Sequence, residues 1–305
     1  MTGRQRLAFP LISRRRLVGS AFGTQRSVRR GRGSETAGTR PYLPGDPIST
    51  IEWVASARLS AAHGADEFIV RERFAEEAPL VAIVLDRRPS MGIYDAPSPW
   101  LEKPRAASIA VRAIVESADV ARAVVDLLVE PARAPRPLHP SRGRVDVVGA
   151  QVAHAGFQAP EDVLDRAIAG LARRRASLPA GSFVFVISDF NGSIQTASRA
   201  TLRNLGPAIV PVIIQDPTWE RSFPDVPGVL LPMVDVVTGE PRPVRLSPRE
   251  TRARKEQHEQ RYGELAARFR RAGMDPVTLG EAEPEPIHRA FLAWAERRRR
   301  MLRRT

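Results

Sequence analysis

The sequence predicts an α/β fold: a doubly wound, mainly parallel sheet with helices on both faces. Two observations carry that reading. Apolar runs of strand length recur at 80–86 (LVAIVLD), 183–189 (FVFVISD) and 208–214 (AIVPVII), and the stretches between them return apolar residues at helical spacing. Strands that are apolar throughout need cover on both faces, which calls for a parallel sheet buried between helices. At 305 residues and 43% hydrophobic, the chain can bury one large core or two modest ones.

The elements follow in order. Residues 1–34 read as a basic, partly disordered segment. Residues 35–78 read as extended, partly strand-forming structure docked on the main domain, because Tyr42, Ile51, Trp53 and Val54 alternate with polar residues. Trp53 is the expected core anchor of that segment. The main domain, 79–305, opens with the strand 80–86, and a helix over 103–120 follows with Ile109, Ala113 and Val120 on its stripe. Strands at 123–130 and 144–150 flank the proline-rich PARAPRPLHP. A helix at 161–175 gathers Val163, Leu164, Ala167, Ile168 and Leu171 on one face, and another at about 195–205 leads into 208–214. Residues 229–246 hold two extended runs around Thr238-Gly239-Glu240, a hairpin inserted at a sheet edge. Ser247, Pro248 and Glu250 then form a capping box, and the helix they open runs to Gly273 with Tyr262, Leu265, Ala266 and Phe269 as its buried stripe. A short strand, DPVTL, and a last helix at 284–303 complete the chain.

Charge and composition exclude several functions. The net charge is +13, but residues 1–40 hold +9 of it and residues 289–305 hold +6, leaving 41–288 at −2. The basicity therefore belongs to the two ends. With no cysteine there is no disulfide, thiol nucleophile or thiolate metal site. His63, His139, His154, His258 and His288 have no ligand spacing, and Gly-Lys-Ser/Thr occurs nowhere, so histidine–metal chemistry, a Ser/His pair and a phosphate loop are not expected. No apolar run approaches the roughly 20 residues that cross a bilayer. The expectation is a non-enzymatic, cytoplasmic protein, with membrane association as an additional possibility.

The candidate site lies where strands end. Asp86 closes the first apolar strand and Asp189 closes another, so both can open onto the crevice at the carboxyl ends of the sheet, with Ser90, Tyr94 and Asn191 on its rim. Two neighbouring carboxylates need a counter-charge, and Arg87 or Arg88 can supply it, with Arg88 expected to pair with Asp86 or Asp189. Asp86, Ser90 and Asp189 resemble the metal-ion-dependent adhesion site of von Willebrand factor A domains, which carries Asp-x-Ser-x-Ser, a later Thr and a later Asp. Here Arg88 replaces the first Ser, and no threonine occurs between Thr50 and Thr196. Magnesium prefers near-octahedral oxygen coordination, so weak or absent Mg2+ or Mn2+ binding is expected, and no other cofactor.

Residues 14–58 resemble the signature of the bacterial "domain of unknown function 58" family. The matching residues are Gly31-Arg32-Gly33-Ser34-Glu35, Arg40-Pro41-Tyr42-Leu43-Pro44-Gly45-Asp46, Ile51-Glu52-Trp53 and Ala57-Arg58, with departures at Thr36, Ser49 and Glu52. Arg40, Asp46, Glu52 and Arg58 read as an ion-pair set bracing this segment. The resemblance implies a von Willebrand factor A-like domain and an accessory role to a MoxR-type AAA+ ATPase, with Arg40, Asp46 and the Asp86/Asp189 face as the contact surface. The alternative is a peripheral binder of anionic surfaces, membrane or nucleic acid, acting through the arginine-rich termini and the apolar face Ile287, Phe291 and Trp294 of the last helix.

Overall fold

A computed structural model describes residues 6–13, 25–77, 80–92, 101–128, 156–173, 181–192, 196–205, 208–234 and 240–302. The expected strand at 144–150 and the rim residue Tyr94 lie outside them. Five parallel strands, β3 (Leu80–Leu85), β4 (Val124–Leu128), β5 (Phe183–Ser188), β6 (Ile209–Ile214) and β9 (Val277–Leu279), form the central sheet in the order β4-β3-β5-β6-β9. Strand order reverses between β3 and β5, so the carboxyl ends of these two strands border the switch-point crevice. β5 and β6 are buried along their whole length, as continuous apolar runs require.

Helices cover both faces. On one side lie α2 (Lys103–Val120) and α6 (Pro284–Leu302); on the other lie α3 (Val163–Arg173), α4 (Thr196–Leu205) and α5 (Pro248–Arg271). The capping box at Ser247 and Glu250 is formed as the sequence predicts, with the serine hydroxyl accepting from Glu250 N–H and the glutamate accepting from Ser247 N–H. Of the expected α5 stripe, Ala266 and Phe269 are buried, while Tyr262 and Leu265 are half-buried. The α2 stripe is shifted from expectation. Ala106, Ala110, Ala113, Ile114 and Ala118 face the sheet while Val120 is 53% exposed, because the small residues let the helix approach closely.

The N-terminal segment departs from the sequence reading. Leu7, Phe9 and Leu11, placed in a basic tail by composition, are buried in the main core. Glu116 and Ser117 of α2 accept the Leu7 and Phe9 amides, and His288 of α6 meets the Ala8 carbonyl at 3.0 Å. Phe9 stacks on Phe291 at 4.5 Å. The strongly basic residues around this short apolar run masked it in the composition.

Residues 25–77 form a unit whose main contacts are internal. β1 (Gln25–Pro41) pairs antiparallel with β2 (Ile69–Glu77), and α1 (Trp53–His63) lies in the connection that joins them and contacts β2. The expected extended run through Trp53 is instead a helix, since WVASARLSAAH is rich in helix formers and Gly64 ends it in the left-handed conformation at φ 67°. Trp53 consequently lies on the surface, 58% exposed, and is no core anchor. The predicted ion-pair set is partly rearranged: Arg40 grips Asp46 through two bonds of 2.7 Å, but Glu52 pairs with Arg71, and Arg58 is exposed outside the set.

The expected hairpin exists as β7 (Leu230–Val234) and β8 (Pro241–Arg245), but as a separate two-stranded sheet and not on the edge of the main one. Leu231 and Leu246 pack on Phe223, with Trp219 beside them, so the hairpin has its own small core. In α6, Ile287, Phe291 and Trp294 are buried against Phe183 and Phe185. This removes the apolar face that the membrane-interface reading needed. No described helix is long and apolar enough to cross a membrane.

Candidate functional site

The ends of β3 and β5 hold a buried polar centre. Asp86 and Asp189 are both fully buried, which corrects the expectation that they rim an open face; Arg88 is 1% exposed and Lys103 wholly buried. Arg88 turns back on Asp86: its Nε lies 3.0 and 3.1 Å from the two carboxylate oxygens and its Nη2 2.7 Å from Oδ2. Its own amide also donates to Asp86 Oδ1 at 3.0 Å. Burial alone would lower the Arg88 pKa, but the Asp86 carboxylate outweighs it and the guanidinium is held more firmly protonated than usual. Ser188, the last residue of β5, donates its hydroxyl to Asp86 Oδ2 at 2.6 Å and accepts the Phe190 amide at 2.9 Å.

The second half of the centre was not foreseen. Lys103 is the first residue of α2, where a positive charge opposes the helix dipole. Its ammonium lies 2.8 Å from the Ser90 carbonyl, 3.1 Å from Asp189 Oδ2 and 2.5 Å from Glu220 Oε1. Three donors thus meet three acceptors, a match for a compact ammonium and not for a planar guanidinium. That match gives physical meaning to a signal present in the sequence: the chain has 47 Lys and Arg residues, and Lys103 is one of only two lysines.

The surrounding groups complete the network. Asn191 N–H donates to Asp189 Oδ1 at 3.0 Å and Asn191 Nδ2 to Glu220 Oε1 at 2.6 Å. Gln215 at the end of β6 reaches the Asp189 carbonyl at 2.6 Å. Burial pushes the Asp189 carboxyl up, but Lys103, the Asn191 amide and the Ser90 hydroxyl prevail and hold it below the ordinary carboxylate range. Glu220 goes the other way, because its desolvation outweighs Lys103 and its pKa is raised. At the chain's other predicted cluster, the Arg40 guanidinium and the Leu43 amide hold the Asp46 carboxyl down at about 2.

A divalent cation does not fit this donor set. The Asp86 oxygens are taken by Arg88 and Ser188, and the space between Ser90, Asp189 and Glu220 is taken by the Lys103 ammonium. Among the described residues, no three His, Asp or Glu side chains converge as a metal cluster.

Gly192 is part of the lock. A Cβ at this position would lie 2.0 Å from Arg88 Nη1 and 3.0 Å from its Cζ. To admit a Cβ there the guanidinium would have to shift away from its grip on Asp86 and from Glu161, 3.5 Å from its Nη1. Gly192→Ala is expected to cost about 1–3 kcal/mol as an overpacked core does, read by urea denaturation. An unchanged midpoint would mean that Arg88 is free to move.

Of the residues the sequence singled out, the structure brings Asp86, Arg88, Ser90, Asp189 and Asn191 together in this buried centre. Arg40 and Asp46 pair separately, in the 25–77 unit. Lys103 and Ser188 join the centre from a helix and a strand that sequence reading treated as scaffold, and Gln215 and Glu220 from the segment after β6, to which it assigned no element.

Comparison with known proteins bears on family. Among solved structures, the chain is similar to an aerotolerance-related membrane protein from Bacteroides fragilis NCTC 9343, crystallised with multiple mutations to serines, at 14% identity and a TM-score of 0.39 over 75% of this chain and 100% of that one. It is also similar to a von Willebrand factor type A protein from Catenulispora acidiphila, at 8% identity and a TM-score of 0.38 over 74% of this chain and 44% of that one. No curated protein matches. The family described as "Protein of unknown function DUF58" matches residues 38–264, the greater part of the chain, and the protein belongs to that family.

Proposed function

We propose that the protein is a non-enzymatic interaction module whose docking surface lies on the 42–68 region, and that its partner is a MoxR-type AAA+ ATPase. One observation carries the reading. Leu43, Ile48, Trp53, Val54 and Phe68 are between 43% and 69% exposed within a single stretch of 26 residues. Trp53 and Tyr42 each set an edge-to-face contact on Phe68, at 6.1 and 6.5 Å, so the aromatic part of this surface is already ordered. Exposed apolar groups next to an ordered aromatic cluster mark protein contact sites, and tryptophan is among the residues enriched at hot spots.

The polar centre supports a scaffold role. A nucleophile or general base needs a free lone pair in reach of substrate, whereas every carboxylate here is engaged by a cation, a hydroxyl or backbone amides. The same cations argue against a bound Mg2+ or Mn2+. The anionic-surface alternative keeps only the arginines of the ends, and at the C-terminus Arg297 is paired with Asp275 while Arg298 is buried over Trp294.

The test is a pull-down with a MoxR-type AAA+ ATPase from the same organism, run with an ATP analogue, with ADP and with neither. A partner that changes shape with nucleotide must bind differently in its two states if the two are coupled. Binding is expected to depend on nucleotide and to fall by about tenfold or more in Trp53→Glu, the size of a hot-spot loss, with an unchanged melting temperature because the side chain is exposed. Absence of binding in all three conditions, or binding indifferent to Trp53→Glu, would overturn the reading.

A further inference from the structure

A cavity of about 500 Å³ opens between α4 and α5, on the face of the sheet opposite α2 and α6. Its floor is apolar, made by Phe190, Leu202, Leu265, Phe269 and Met274, and its rim carries Arg199 and Arg203 from α4 and Arg268 and Arg271 from α5. No acidic side chain is found among its described lining residues, and none of the four arginines makes an ion pair in the described structure. All four are exposed.

Helix stability accounts for only part of this. Arg203, Arg268 and Arg271 sit in last turns, where cations are favoured. Arg199 sits in the first turn of α4, where a cation is disfavoured, so its presence at the same mouth needs another reason. The floor is also specially built. Phe190 takes a positive φ of 52°, rare for a bulky residue, and its ring meets Phe269 edge-on at 5.0 Å. This turn sends Phe190 into the apolar layer while Asp189 and Asn191 on either side serve the polar centre.

We propose that this cavity binds a small amphiphilic anion, with its apolar body on Phe190, Leu265 and Phe269 and a phosphate or carboxylate head held by the arginines. The volume lies within the roughly 300–1,000 Å³ of small-molecule sites, which are mostly apolar with a few placed polar groups. Guanidinium groups from two helices suit a multi-oxygen head, since each offers a planar fork of donors. The site is distinct from the 42–68 surface and stands or falls independently of it.

The experiment is calorimetric titration of the full chain with decyl phosphate below its micelle concentration, with decanoate, decanol and inorganic phosphate as separate arms. Decyl phosphate is expected to bind at a single site, and decanol and inorganic phosphate each about tenfold or more weakly, as loss of a charge-assisted pair or of the apolar body implies. Decanoate binding more tightly than decyl phosphate would assign the head to a carboxylate, weaker binding to a phosphate, and equal binding to an anion of either kind. Arg199→Gln with Arg268→Gln is expected to weaken binding by a similar factor, and Leu265→Trp to weaken it as well by placing an indole over the apolar floor where the ligand body sits, with melting curves confirming that each variant is folded. No binding of either anion, equal binding of decanol, or indifference of a folded Leu265→Trp protein would overturn the assignment.

Discussion

Lys103→Met is expected to destabilise the fold by about 3–5 kcal/mol at pH 7, the size of effect seen when one partner of a buried ion pair is removed. The variant leaves Asp189 and Glu220 buried without their shared ammonium. The pH dependence has a definite sign. A buried carboxylate that has lost its cation prefers to be protonated, so the deficit should shrink as pH falls from 7 toward the ordinary glutamate value of 4.5. In the parent protein the two acids pull in opposite directions. Asp189, held low, contributes stability above the ordinary aspartate value of 3.8 that is lost as pH falls below it. Glu220, held high, favours folding in its protonated form, and that contribution fades as pH rises past 4.5. Urea denaturation between pH 4.5 and 7 is the measurement, and adding Glu220→Gln should recover part of the loss. A deficit under about 1 kcal/mol, or one that grows on acidification, would show that the ammonium is not the counter-charge.

Phe9→Ala is expected to cost about 3–5 kcal/mol, as for a fully packed core phenylalanine. Phe9 is 3% exposed and touches three rings, stacking on Phe291 and meeting Trp294 and Phe185 edge-on at 5.8 and 6.3 Å. Ile48→Ala serves as the contrast, since its side chain is 69% exposed and should change stability by no more than about 0.5 kcal/mol. Thermal unfolding of both variants reads the difference directly. A Phe9→Ala protein as stable as Ile48→Ala would mean that the leading segment is only loosely laid on the domain.

The parallel sheet was legible because its strands are apolar on both faces, a pattern that few other arrangements satisfy. The capping box at Ser247 was legible for a similar reason, since residue types and spacing both point to one local geometry. The Asp86–Arg88 partnership followed from two facts near each other in sequence, a strand-end carboxylate and an arginine two residues on. Lys103 and Glu220 were harder, because Lys103 lies 86 residues from Asp189 and 117 from Glu220 along the chain. Periodicity reports which face of a helix is apolar, and it is silent about a charged residue at a helix start that is drawn inward by distant acids. Trp53 was misread for the opposite reason. Apolar and polar residues alternate around it, but the alternation is too short to outweigh the helix-forming run that follows, and an exposed tryptophan is the exception that hydrophobicity alone does not flag.

The seat of the leading segment has a consequence for the order in which the protein can be completed. Phe9 rests on residues of the last helix, and the bond from His288 to Ala8 joins positions 280 residues apart. While the chain is being synthesised, Leu7, Phe9 and Leu11 have no finished place to go until α6 leaves the ribosome. At about 5–20 residues per second, that wait is roughly 15–55 seconds. Until then these three apolar side chains lack the cover of α6, beside a run of arginines, which lowers their tendency to self-associate. Closure of the core is thus a late event, and the polar centre at β3 and β5 can assemble before it.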